Sequence, residues 1–182
     1  GIPVIGSNHP VCLSQNPKDK RLRVSVFIEW NDNAYVIDCG PDFRQQMLNI
    51  GATRLDGILF THEHADHTAG IDDIRPFFFR QGDIPIYAHA RVLKALSKRF
   101  DYIFESENKY PGAPSVKEHE IINAPFVLKD LEVVPINGSH NKLQVFGFRF
   151  NNFAYLTDMK TIDNTEIEKI RGIEVVVINA LR

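Results

Sequence analysis

Apolar and polar positions alternate along this chain in short blocks, and the period changes from block to block. Val24-Ser-Val-Phe-Ile-Glu-Trp30 and Ala34-Tyr-Val-Ile-Asp38 are rich in β-branched and aromatic residues, with Asn31-Asp32-Asn33 between them. Those three side chains tolerate tight-turn conformations, which predicts a β-hairpin. Pro41 suits a first helical turn, Phe43, Met47 and Leu48 fall near helical spacing, and Gly51 can end the helix; the spacing predicts a helix over 41–49. Gly57-Ile-Leu-Phe-Thr61 is a short unbroken apolar run, as a fully buried strand would be,. Pro85-Ile-Tyr-Ala-His89 reads as a further strand, followed by a helix with Val92, Leu93 and Leu96 on one face. Residues 100–118 show no period and read as a long loop, a candidate lid. Strands then follow at Phe126–Leu128, Leu131–Ile136, Val145–Phe150 and Phe153–Thr157, with Asn151-Asn152 as a tight turn. A helix over Asp163–Ile170 and a strand over Glu174–Asn179 complete the series. This order predicts an α/β fold of sheets packed on each other with helices outside.

Composition narrows the picture. The chain has 182 residues, 43% of them hydrophobic, which is enough to bury one core, and a single domain over 1–182 is expected,. A formal net charge of −2 gives no broad attraction for nucleic acid,. No apolar run approaches the ~18 residues of a membrane span and the start is not a signal peptide, so no membrane partner and a cytoplasmic location are expected. Cys12 and Cys39 are too few and too far apart for a disulfide scaffold, which fits a reducing compartment,. The chain opens on Gly1 and stops at Arg182 directly after a strand-like run, so both ends are expected to be trimmed.

The chemistry concentrates in Thr61-His62-Glu63-His64-Ala65-Asp66-His67. Three imidazoles and an aspartate within six positions, at the junction of a strand and a following helix, form an N/O donor set suited to zinc, manganese or iron. His62 and His64 can face one ion, and Asp66 and His67 a second. His140 and Asp158, both following strands, extend the set. Two cations about 3.5–4 Å apart could hold a bridging hydroxide and stabilise both oxygens of a displacement. Asp158 would suit the bridging carboxylate, Asp66 could also orient the nucleophilic water as the catalytic residue, and Thr61 or Ser139 could fix ring orientations.

The gap-free H-x-H-x-D-H pattern of His62, His64, Asp66 and His67 resembles the metallo-β-lactamase superfamily. That resemblance implies a four-layer αβ/βα sandwich, truncated here at the C-terminus, and two divalent metal ions. Metal one would take His62, His64 and His140, metal two Asp66 and His67, and Asp158 would bridge. Gly1-Ile2-Pro3, Arg21-Leu22-Arg23-Val24-Ser25, Asp38-Cys39-Gly40-Pro41-Asp42-Phe43-Arg44 and Gly70-Ile71-Asp72-Asp73-Ile74-Arg75-Pro76 resemble, more narrowly, the cyclic phosphodiesterases of phosphonate-breakdown operons. This implies hydrolysis of a small or cyclic phosphodiester by a metal-bridging hydroxide. The family supplies a last metal-two histidine and a further histidine likened to a general acid from beyond the strand at 174–179, which this sequence does not reach. Its structural zinc site on an N-terminal loop is expected to be absent or degraded, with only His9 and Cys12 in place.

Other residues carry weaker expectations. Asp73 and Arg75 are candidate contacts to a substrate phosphate, and Phe77-Phe78-Phe79 fits core packing or a homodimer surface. His89 is expected at a strand end near the core and His119 on a solvated loop. An RNA 3′-end processing nuclease is the rival enzyme, disfavoured by the net charge and the absence of a Gly, Pro and Lys-rich arm. A non-catalytic metal-binding domain is the reading of another class, favoured if the natural chain ends near Arg182.

Overall fold

In the computed structural model, residues 2–107 and 109–179 are described; the extreme ends of the expected domain and one position of the expected 100–118 loop lie outside the described residues. A short helix α1 (Pro10–Leu13) precedes the hairpin of β1 (Val26–Trp30) and β2 (Asn33–Ile37). Asn31 and Asp32 take the left-handed conformation that its two-residue turn requires,. Helix α2 (Phe43–Ile50) ends at Gly51, whose φ of 65° suits a left-handed cap,. After β3 (Gly57–Leu59), α3 (Ala65–Thr68) and α4 (Arg75–Gln81) lead to β4 (Ile84–Ala88). The stretch expected as one long loop instead starts with α6 (Asp101–Phe104), directly after α5 (Ala90–Arg99), and ends in β5 (Val116–Glu120). Its aromatics broke the apparent period because Ile103 faces the core while Tyr102 and Phe104 pack at its margin. The second half supplies β6 (Phe126–Leu128), β7 (Leu131–His140), β8 (Leu143–Phe150), β9 (Phe153–Leu156), β10 (Thr161–Ile162), α7 (Asn164–Glu168) and β11 (Val175–Ile178).

The strands form two sheets, β1-β2-β3-β4-β5 and β10-β7-β8-β9-β11, with β6 paired to β7. From β2 to β5 the first sheet is parallel. Alternation along each strand then builds the layers. Val36, Ile58, Ile84 and Ile86 face the helices with Phe43, Phe77, Leu96 and Ile103. Tyr35, Ile37 and Leu59 point the other way, onto Val133, Phe146, Phe148 and Tyr155 of the second sheet. On the far face of that sheet Ile136, Ala154 and Leu156 pack with Met159, Ile162 and Ile170. The order is helices, sheet, sheet, helix, the four-layer α/β sandwich expected. Among the described residues no helix is long and apolar enough to cross a membrane.

The phenylalanine triplet divides by helical geometry: Phe77 is buried in the core, Phe78 packs against it and Phe79 is exposed. His89 caps α5 by accepting from the Arg91 N–H. His119 departs from expectation, because it lies on β5 rather than on a solvated loop. Its ring stacks on Tyr87 at 4.7 Å, and that burial lowers its pKa.

Candidate metal centre

Chain direction gathers the site. Parallel β2 and β3 end side by side, placing Asp38 and the Thr61–His62 pair together. In the other sheet β8 runs antiparallel to both β7 and β9, so His140 and Asp158 lie at strand ends that point the same way. His140 is the last residue of β7, which runs on past the expected end at Ile136, and Asp158 follows β9. The Phe146 N–H donates to the Thr61 carbonyl at 3.0 Å and ties the sheets together there. Backbones also approach closely: Cys39 N–H donates to His67 O at 2.8 Å, and Gly70 N–H to Cys39 O at 2.9 Å. A Cβ on Gly40 would lie 2.2 Å from Asp66 O, and one on Gly70 would lie 2.0 Å from Gly40 O. Only glycine fits either position.

Among the described residues, one ligand atom each from His62, His67 and Asp158 lies within 4.8 Å of the others. Asp158 Oδ2 is 3.1 Å from His67 Nε2 and 3.8 Å from His62 Nε2. Its other oxygen accepts from Asn179 Nδ2 at 2.6 Å and Thr157 Oγ1 at 3.3 Å, which leaves Oδ2 as the oxygen facing both rings. The His62 and His67 centroids are 4.2 Å apart, and His64 stands 4.6 Å from His62. His140 closes the circle at 5.6 Å from His64, its buried Nδ1 without a hydrogen-bond partner among the described residues. Asp66 Oδ2 lies 3.6 Å from His67 Nε2 with its side chain 55% exposed. Of the six expected ligands, His62, His67 and Asp158 therefore bring ligand atoms together, while His64, His140 and Asp66 stand around them as neighbours. The tight core joins His62 to His67 across the expected division between two metals.

Asp38 supports this group from behind, and sequence reasoning assigned it no role in the site. It is fully buried, with a left-handed φ of 60°. Asp158, with φ 53°, shares that strained conformation at a strand end, a place where strain is retained for function,. Asp38 accepts from Thr61 N–H at 2.9 Å, from Thr61 Oγ1 at 2.8 Å and from His67 Nδ1 at 2.6 Å. Thr61 Oγ1 is also 3.0 Å from His62 Nδ1. The available signal was an apolar strand ending in Asp beside the one ending in the histidines. Asn179 gave less, being a polar residue after an apolar run.

The electrostatics fit a cation. Burial, together with the charge of His67, pushes His62 down to about 4, so its ring is neutral. Burial opposes charge on His67, but hydrogen bonds to Asp158 and Asp38 overcome it and raise that ring to about 10. The same bond from His67 holds Asp158 down to about 2. His62 Nε2 is buried and has no hydrogen-bond partner among the described residues. A buried polar nitrogen left unpaired beside a carboxylate is costly, and a divalent ion would satisfy both. These imidazole and carboxylate donors suit zinc or manganese, and iron also accepts them.

Glu63 belongs to the scaffold: its carboxylate pairs with Arg91, and Arg99 Nη1 donates to Glu63 O at 2.9 Å and to Thr68 Oγ1 at 2.8 Å. The Arg75 guanidinium bonds Asp72 at 2.5 Å, Tyr110 OH at 3.2 Å and the Gly112 carbonyl. Its donors are thus turned to the 110–112 segment. Asp73 is half-buried, and that burial raises its pKa.

A family model described as a β-lactamase superfamily domain matches residues 33–182. The crystal structure of a new diphosphatase from the PhnP family superposes with a TM-score of 0.88 at 34% identity, covering 97% of this chain and 67% of that one. An octanoyltransferase of Porphyromonas gingivalis is 40% identical over 184 residues, 100% of this chain but 37% of that protein. A ribonuclease Z of Archaeoglobus fulgidus is 29% identical over 92 residues, 47% of this chain and 30% of its own length. The chain thus spans well under half of either curated relative.

Proposed function

Since the chain belongs to the metallo-β-lactamase superfamily, on its PhnP-like branch, we propose that it is a metal-dependent hydrolase acting on a small or cyclic phosphodiester. The observation that carries this is the buried Nε2 of His62, without a hydrogen-bond partner among the described residues, beside the Asp158 carboxylate and His67. In this reading His62, His64 and His140 would hold one divalent cation, Asp66 and His67 would hold a second, and Asp158 would serve both. A cation bound there supplies Lewis acidity toward a phosphoryl oxygen and acidifies water at neutral pH. Asp38 and Thr61 hold the rings, Asn179 and Thr157 hold the far oxygen of Asp158, and the half-exposed Asp66 would orient the attacking water.

A diphosphatase and a ribonuclease among the relatives both break phosphorus–oxygen bonds, which supports the reaction class. The diphosphatase, at 34% identity, also favours a second reading in which the bond cleaved is a phosphoanhydride. Acyl transfer is not proposed from the octanoyltransferase, because the match covers 37% of that protein. Cys39, the thiol whose backbone bonds His67, is moreover fully buried, and burial raises its pKa well above the ordinary value.

The test is metal analysis of the full-length protein together with turnover of a chromogenic phosphodiester, a small cyclic phosphodiester, a nucleoside diphosphate and a tRNA precursor. Expected are two metals per chain, turnover of the small diesters, and a ~10²–10⁴-fold loss of kcat in Asp66→Ala. One metal without turnover would make the protein a non-catalytic binder. A strong preference for the tRNA precursor would make it an RNA-processing nuclease, and one for the diphosphate would favour the anhydride reading.

A further inference from the structure

We infer that Asp38 and Thr61 form a tautomer relay in which one buried carboxylate sets the protonation pattern of both His62 and His67, the first through the Thr61 hydroxyl and the second directly. The inference rests on the reading that these rings hold metal, and the proton count carries it. As a carboxylate, Asp38 has only lone pairs to offer, and it receives three donors: Thr61 N–H, the Thr61 hydroxyl and His67 Nδ1,. The Thr61 hydroxyl has one proton and two neighbours, Asp38 Oδ2 at 2.8 Å and His62 Nδ1 at 3.0 Å. If that proton pointed to His62, lone pairs of Thr61 and Asp38 would face each other at 2.8 Å in a site sealed from water. The proton therefore lies toward Asp38, and Thr61 Oγ1 accepts from His62 Nδ1.

The consequence appears on the far side of each ring. With Nδ1 carrying the proton, His62 Nε2 presents a bare lone pair toward Asp158, where it is buried and has no hydrogen-bond partner among the described residues. His67 also commits its Nδ1 proton to Asp38, so the proton that its Nε2 shares with the same Asp158 oxygen is the one a metal would displace. One side chain thus orients two nitrogens toward one point, in the way that partners behind a metal site fix ring tautomers. Thr61 is a positioning residue whose hydroxyl is needed at a place where its methyl would suffice for packing.

Long-range proton–nitrogen correlation spectra of the ¹⁵N-histidine-labelled chain, metal-free and zinc-loaded, read the tautomers directly. The expected wild-type result is His62 protonated at Nδ1 in both states. Thr61→Val keeps the shape and removes the hydroxyl, so His62 should lose its single Nδ1–H signature and zinc affinity in a chelator competition should fall ~10–100-fold. Thr61→Ser should restore both. His62 protonated at Nε2 in the metal-free wild type overturns the relay, as does a folded Thr61→Val chain with unchanged spectra and affinity. If Thr61→Val does not fold, the wild-type spectrum and the Thr61→Ser variant decide by the same criterion. A wild-type chain that takes up no metal defeats the proposed function instead, and the metal-free spectrum still decides for or against the relay.

Discussion

Glu166 shows at single-residue scale how folding uses a charge away from the metal centre. It is buried, and it accepts from the Asn137 N–H at 2.7 Å and Asn123 Nδ2 at 2.8 Å while pairing with Lys169 Nζ at 2.8 Å. Burial alone would raise its pKa, but the bonds from Lys169, Asn137 and Asn123 lower it below the ordinary 4.5. A carboxylate with a depressed folded pKa adds stability that is complete above its unfolded value and is lost as pH falls through the folded one. Glu166→Gln should therefore cost ~1–3 kcal/mol at neutral pH. In urea melts, the gap between wild type and variant should narrow only below pH 4.5. A gap independent of pH would show that the charge contributes nothing.

At the scale of elements, the centre depends on two loops meeting backbone to backbone. The segment after β2 and the turn around α3 share the Cys39–His67 and Gly70–Cys39 hydrogen bonds. Gly40 and Gly70 leave no room for a side chain between them. Because the obstructing atoms at Gly40 are backbone rather than a flexible side chain, Gly40→Ala must push the histidine turn away. We expect a loss of ~1–3 kcal/mol or more from overpacking, with metal uptake reduced further than stability. Equilibrium dialysis beside thermal melts separates the two, and a normal metal content in Gly40→Ala would count against this account. The Arg99 bonds to Glu63 and Thr68 hold the same turn from its outer side, so the turn is fixed on both flanks.

At the scale of the whole molecule, the donors come from both sheets, so a cation bound among them joins the two halves of the sandwich. A ligand that binds only the folded state stabilises it by RT ln(1 + [L]/Kd), ~2.7 kcal/mol at a hundredfold excess over Kd. For a chain of this size each kcal/mol moves Tm by roughly 2–4 °C. Zinc or manganese should raise Tm accordingly, EDTA should reverse the rise, and Asp158→Ala should abolish it; an unchanged Tm would mean that the halves are not bridged. Much of this architecture was legible along the chain. Apolar runs of strand length, the Gly51 stop and the density of histidines from His62 to His67 are local signals, because backbone period and donor chemistry are properties of neighbouring residues. Residues 100–118 resisted such reading, since Ile103 and its aromatic neighbours acquire a period only against the core they pack on. The roles of Asp38 and Asn179 escaped it for the same reason, since a single polar residue after an apolar run gains its partners only in the folded chain. The sequence by itself determined most of the strands, the packing of sheet on sheet with helices outside, and the cluster of metal-suited donors from His62 to His67. Tertiary structure alone decided that His62 and His67 converge on one oxygen of Asp158 and that Asp38 stands behind both rings. The two contacts of His67 alone join positions 29 and 91 residues apart, and only the direction of strands in two packed sheets brings them together.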